Sequence, residues 1–275
     1  MELWKAAFLG MVQGLTEFLP ISSSGHLVIF QHLFGLTEPE LFFDVSVHLG
    51  TLLAVVIFYR RQIAGMVSAV ASFAAVRLGR PSARVDRDNL HLVWMVLLGS
   101  VPTALIGLGI KPAADRLFAS MTLVGIDLVF TGCLLFLTGV VARRRARLGS
   151  PEGRELPGPI DAILIGVAQG MAILPGISRS GTTIAVGLFL GLRRKAAAAY
   201  SFLLSIPAIT GAALLLLKDA VHDPGFALLP CLAGAMTAFL VGYASLALLV
   251  FIVRKGRLAF FAPYCWLVGL LALLY

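Results

Sequence analysis

Charged side chains are scarce in this 275-residue chain: they make up 13% of it, with 14 acids against 22 Lys and Arg. So few charges cannot cover a water-facing surface, which excludes one or two ordinary soluble domains. Cysteine is nearly absent. Cys133, Cys231 and Cys265 stand far apart in apolar stretches, with no CxxC pair and no nearby His at metal-ligand spacing. That excludes a disulfide framework or zinc cluster and leaves them as small packing residues. The start of the chain holds Glu2 and Lys5 but neither the basic head nor the cleavage site of a signal peptide, so it is expected to stay in the mature chain.

What is abundant is apolar surface, at 59% hydrophobic residues and a mean hydropathy of +0.94, the composition of an integral membrane protein. The net charge of +8 would suit nucleic acid, but the basic residues sit in short clusters between apolar runs, so no nucleic-acid partner is expected. Six segments, 42–59, 91–110, 119–142, 197–217, 226–253 and 258–275, approach the roughly twenty helical residues that span ~30 Å of hydrocarbon. Regions 3–34 and 160–191 are apolar but broken, at Leu19-Pro-Ile-Ser-Ser-Ser-Gly-His26 and Leu174-Pro-Gly-Ile-Ser-Arg-Ser-Gly-Thr182. Such backbone survives at membrane depth only when buried in protein or lining a wet cavity. Each region therefore reads as a re-entrant helix-loop-helix.

The two broken regions repeat each other at an offset of 156, with seven of seventeen positions identical between 10–26 and 166–182. Each is followed by three spans. The expected fold is an all-α polytopic membrane domain of two repeats, 1–142 and 160–275, and because three is odd the second is inverted. On this reading Arg60, Arg61, Arg77, Arg80, Arg84, Arg87, Arg143, Arg144, Arg145, Arg147, Arg154, Arg193, Arg194, Lys195, Arg254, Lys255 and Arg257 share one side. Those 17 face only Lys5, Lys111, Arg116 and Lys218 opposite; treating the broken regions as single crossings would cut the split to 13 against 8. The richer side is cytoplasmic, which puts both termini outside. Segment 62–77 gives a weak signal for an amphipathic surface helix.

The polar residues gather at the breaks. Gln13 and Glu17 share a helix face, with Glu17 about 24 Å along its helix, and Ser22, Ser23, Ser24, Gly25 and His26 follow. A carboxylate that deep marks function or a structural bond to loop amides. In the second break, Gly176, Ser178, Arg179, Ser180, Gly181 and Thr182 form a Gly/Ser-rich helix opening with a buried arginine, suited to cradling phosphate; Arg179 paired with Glu17 is the structural alternative. Together the breaks suit hydrolysis of a phosphate ester or diphosphate. Glu17 would hold a divalent cation, Arg179 and loop amides would neutralise oxygens, His26 would move a proton, and Ser23 or water would attack. Asp44 and His48, again one turn apart, are candidates for the same cavity or for helix-end capping. Asp127 is expected to have a structural partner, His32, His91 and His222 to lie at solvated or interfacial positions, and Trp4, Trp94 and Trp266 to anchor at the membrane interface.

Gln13-Gly-Leu-Thr-Glu17-Phe-Leu-Pro-Ile-Ser-Ser-Ser-Gly-His26 and Pro175-Gly-Ile-Ser-Arg179-Ser-Gly-Thr-Thr183, with Ser201-Phe-Leu-Leu-Ser-Ile-Pro207, closely resemble the bacterial undecaprenyl-diphosphate phosphatases, also called bacitracin-resistance proteins. The resemblance covers essentially the whole chain. It implies removal of the terminal phosphate from the C55 isoprenyl diphosphate, which recycles the carrier for peptidoglycan, in the cytoplasmic (inner) membrane, with the pocket opening to the periplasmic side. It also places the family's paired-acid motif on Gln13 and Glu17, its histidine on His26, its serines on Ser22 and Ser23, and its arginine on Arg179. It further implies a divalent cation, Mg2+ or Ca2+; with Gln at the first motif position, Gln13, Asp44 or lipid phosphate oxygens would complete a site built on Glu17. Membrane lipids are partners, and a homodimer is an allowed assembly. The competing class is an isoprenyl-phosphate lipid transporter or flippase, since inverted repeats with broken helices are transporter architecture. An acid-phosphatase-type site fails, because it needs His where Ala185 stands.

Overall fold

Proline disfavours a helical residue before it, and the first helix, α1 (Leu3–Phe18), stops one residue short of that constraint: Leu19, ahead of Pro20, is extended, with φ −60° and ψ 140°. The chain resumes as α2 (Ser23–Leu33) after a left-handed Ser22, φ 69°, the one non-glycine residue with positive φ among those described. The computed structural model describes residues 2–34, 41–79, 84–118, 120–148, 153–220 and 228–274. Its remaining helices are α3 (Leu41–Phe58), α4 (Arg60–Arg77), α5 (Arg87–Ile110), α6 (Ala114–Phe118), α7 (Met121–Arg147), α8 (Pro159–Met171), α9 (Arg179–Phe189), α10 (Arg194–Ala220), α11 (Leu228–Arg254) and α12 (Ala262–Leu274). Short 3-10 turns precede α6 and α12, and the described residues contain no strand.

Four helical stretches are each long and apolar enough to cross a bilayer: Arg87–Ala113, α7, Arg194–Leu215 within α10, and α11. A fifth is counted if α3 and α4, bent by 76° at their junction, form one span; Leu258–Leu274 is apolar but shorter. The protein is thus an all-helical, multi-pass membrane protein. Segment 62–77 lies inside α4, whose Gln62 donates to Asn89 at 2.7 Å.

Both broken regions are hairpins that return to the end where they began. Edge-to-face rings tie Phe8 to Phe30 and Trp4 to Phe34, at 5.3 and 5.6 Å. In the second hairpin Arg154 spans the two ends, donating to both Asp161 carboxylate oxygens at 2.7 and 3.0 Å and to the Leu190 carbonyl at 2.8 Å. With no water to expel between helices in a bilayer, close packing of small residues supplies the attraction. Accordingly α1 packs on α11 and α8 on α5 through glycines: a Cβ on Gly10 would lie 2.2 Å from the Gly234 carbonyl oxygen, and one on Gly166 2.1 Å from that of Gly99. Two further large contacts join α3 to α11 and α7 to α12.

Of the three cysteines, Cys231 and Cys265 are buried while Cys133 faces outward, so packing explains only two. His91, near the start of α5, is half-buried and bonded to the Pro157 carbonyl at 2.8 Å, tying α5 to the chain before α8. The side chain of His32, and all of His222, Arg80 and Tyr275, lie outside the described residues. Trp4 and Trp94 are exposed, whereas Trp266 packs on Phe136 with ring centroids 5.7 Å apart.

Candidate active site

The two breaks meet inside the helix bundle. Ser22 Oγ accepts from the amide of Gly25 in its own turn (3.3 Å) and from that of Gly176 in the other (3.2 Å), while Ser180 Oγ donates to the Phe18 carbonyl (2.9 Å). Ser178 caps α9 as Ser22 caps α2, accepting from Gly181 at 3.2 Å, and each capping oxygen lies 3.3 Å from the hydroxyl two residues on, Ser24 or Ser180. Gly176 can only be glycine: its φ is +100°, and a Cβ there would lie 2.5 Å from the Val124 carbonyl oxygen. Behind this turn α7 offers Thr131, whose Oγ accepts from the Ser178 amide at 3.1 Å and donates to the Gly176 carbonyl at 3.1 Å. These bonds consume the amides of Gly25, Gly176, Ser178 and Gly181. The N–H groups of Ser23, Ser24, Arg179 and Ser180, first in their helices, have no acceptor among the described residues.

Glu17 is the hub. Its Oε1 accepts from Arg179 Nη2 at 2.6 Å, and its Oε2 accepts from Ser23 Oγ at 2.7 Å and from Gln13 Nε2 at 3.0 Å. His48 Nε2 stands 4.0 Å from the same oxygen, oriented by a bond between Nδ1 and the Asp44 carbonyl at 2.7 Å. Arg179 also lies over the Phe202 ring, 6.0 Å from its centroid. Glu17 and Arg179 keep only 7% and 15% of their side-chain surface exposed, so the pair is largely desolvated. Three polar atoms here are buried with no partner among the described residues: Arg179 Nη1, Gln13 Oε1 and Thr182 Oγ. A guanidinium nitrogen without a partner beside two helix N-termini is an arrangement that can accept an oxyanion.

His26 belongs to another network. Its Nδ1 bonds the Ser22 carbonyl at 2.7 Å and its Nε2 the Tyr264 hydroxyl at 2.7 Å, the two rings being nearly parallel. A carbonyl only accepts, so Nδ1 carries the proton and Nε2 accepts from Tyr264. The imidazole thus has both nitrogens occupied away from Ser23. Asp127 sits below the second turn, its Cβ 2.7 Å from where a Gly176 Cβ would lie, and its buried Oδ2 has no hydrogen-bond partner among the described residues.

Tyr264, Thr131 and Phe202 escaped the sequence reading as members of this site. Only Phe202 carried a signal, inside the Ser201–Pro207 stretch. Among the described residues no three His, Cys, Asp or Glu side chains group as a metal cage. A hard cation bound through one carboxylate plus substrate phosphates needs no such cage, and Glu17 with the unpartnered Gln13 Oε1 fits that mode.

The family model described as "Bacitracin resistance protein BacA" matches residues 6–271. An undecaprenyl-diphosphatase of Desulfosudis oleivorans is 50% identical over 98% of this chain and 97% of its own. One of Desulforapulum autotrophicum is 47% identical over 100% and 98%, and one of Carboxydothermus hydrogenoformans 44% over 98% and 95%. With a family match across nearly the whole chain and relatives this similar end to end, the protein belongs to the bacitracin resistance protein BacA family.

Proposed function

We propose that the protein removes the terminal phosphate of undecaprenyl diphosphate, releasing inorganic phosphate and undecaprenyl phosphate, and so returns the lipid carrier to cell-wall synthesis and confers bacitracin resistance. The observation that carries this is Arg179, one arm on Glu17 and the other, Nη1, buried without an acceptor among the described residues, where the N-termini of α2 and α9 meet. The incoming diphosphate takes Arg179 and the free amides of Ser23, Ser24, Arg179 and Ser180, as helix N-termini and guanidinium forks do for phosphates. It displaces Glu17 from Arg179, freeing the carboxylate to accept the Ser23 proton. Ser23 Oγ bonds to the terminal phosphorus as the bond to the bridging oxygen breaks, and the monophosphate leaves. Water then cleaves the phosphoserine, its proton passing to the base while the serine regains its own. His26, held by Ser22 and Tyr264, keeps the left-handed Ser22 turn in place.

Mg2+ or Ca2+ would be held by Glu17 and Gln13 together with substrate oxygens, with Asp44 on α3 as a further carboxylate. Bound there, it would neutralise phosphate charge.

We also infer an inverted repeat of one re-entrant hairpin and three spans per half, with the pocket mouth and both termini on the outer face. Three features support it: α2 and α9 begin 156 residues apart, the first helix of each hairpin packs on the middle long helix of the opposite half, and on this topology 17 basic residues of the sequence would share one side. Phosphate release from undecaprenyl diphosphate by purified protein in detergent tests the activity. Turnover without a bilayer excludes a role in transport alone; no release under any divalent cation sinks the hydrolase.

A further inference from the structure

Some cations of the arginine-rich end are engaged, while others, Arg144 and Arg147 among them, show no partner among the described residues. Arg145 donates to the Leu188 and Phe189 carbonyls at 2.9 and 3.0 Å, Arg154 grips Asp161, and Arg193 pairs with Glu155. Arg143 has no hydrogen-bond or carboxylate partner among the described residues. Its guanidinium nevertheless folds back along α7, Nη1 lying 4.0 Å from where a Gly139 Cβ would sit. There it forms the polar end of a groove of about 450 Å³ between α7 and the α12 segment, whose other walls are Phe136, Ala259, Phe260, Pro263 and Trp266. A long cationic side chain near a membrane-helix end ordinarily reaches out to the interface. One laid over an apolar trough calls for an anion at the trough's end.

We propose that this groove binds an anionic diacyl phospholipid, with its phosphodiester on Arg143 and an acyl chain along Phe136, Pro263 and Trp266. Charge complementarity selects the headgroup, because a guanidinium meets phosphate oxygens with paired N–H donors. The groove is separate from the catalytic pair: Arg143 stands twelve residues along α7 from Thr131, about 18 Å at 1.5 Å per residue. The same two helices form the groove and brace the catalytic turns, α7 through Thr131 and α12 through Tyr264 and through Cys265, which donates to the Pro20 carbonyl at 3.5 Å. A lipid wedged between them steadies those turns and raises turnover without touching substrate.

Native mass spectrometry of wild type, Arg143→Gln and Arg144→Gln, with phosphatidylglycerol or phosphatidylcholine added, tests the site; Arg144 carries the same charge and is exposed, as Arg143 is, but does not line the groove. Wild type and Arg144→Gln are expected to retain one phosphatidylglycerol and no phosphatidylcholine, with affinity at least tenfold weaker in Arg143→Gln. Adding phosphatidylglycerol to phosphatidylcholine liposomes should raise phosphate release by wild type and Arg144→Gln but not by Arg143→Gln. Equal retention by Arg143→Gln, equal loss in Arg144→Gln, or displacement of phosphatidylglycerol by equimolar prenyl monophosphate overturns the proposal.

Discussion

Replacing Glu17 by Gln should separate binding from turnover in opposite directions. In the resting protein Glu17 and the substrate compete for one guanidinium, the 2.6 Å contact to Arg179 being the bond that the diphosphate must displace. A hydrogen bond to a charged group is worth about 1.5–3 kcal/mol net, so removing the carboxylate should tighten diphosphate binding by roughly ten- to a hundredfold. The same change removes the acceptor of the Ser23 proton, 2.7 Å away. Loss of a positioned base costs about 10²–10⁴ in rate. It also leaves a buried guanidinium uncompensated in the empty protein, a change that costs about 3–5 kcal/mol when a buried pair is broken. The empty variant should therefore unfold at lower temperature and recover strongly when anion is added. Binding is measured by calorimetry with methylene diphosphonate in chelator, so that any cation held by Glu17 does not enter, and turnover by phosphate release. Weaker binding together with near-normal turnover would refute the reasoning.

Ser23→Ala should lower turnover by about 10²–10⁴ while diphosphonate binding holds, whereas Ser24→Ala should change turnover little; phosphate release compares the two. Tyr264→Phe deletes the donor to His26 Nε2, a bond worth about 1 kcal/mol, and should shift the His26 ring nitrogen resonances and reduce kcat with little change in KM. Gly176→Ala forces a side chain into a left-handed position, at about 1–2 kcal/mol, and against the Val124 carbonyl oxygen at 2.5 Å. It should lower the thermal midpoint well below that of Gly25→Ala, whose added Cβ meets nothing closer than 3.3 Å.

Much of this was legible in the chain because the signals are local. Pro20 and Pro175 announce the breaks, the 156-residue offset pairs them, and the helices begin and end within a few residues of the apolar stretches. Gln13 and Glu17 share a face because helical period leaves no alternative. What stayed hidden depends on distance along the chain or on backbone sign. Tyr264 reaches His26 across 238 positions with no pattern to mark it. Ser22 carries no hint that its φ is positive or that its hydroxyl serves two turns at once, so loop amides that composition assigns to phosphate are partly spent on the serines. Between α3 and α4 the boundary is marked by Arg60 and Arg61 after the apolar run 42–59, but the 76° angle of the bend has no local signal.

The most direct measurement is a structure with methylene diphosphonate bound. The account expects a phosphonate oxygen on Arg179 Nη1, the N-termini of α2 and α9 aimed at the anion, and Glu17 released from Arg179 toward Ser23. An analogue bound elsewhere, or lying beside an intact Glu17–Arg179 pair, would contradict it.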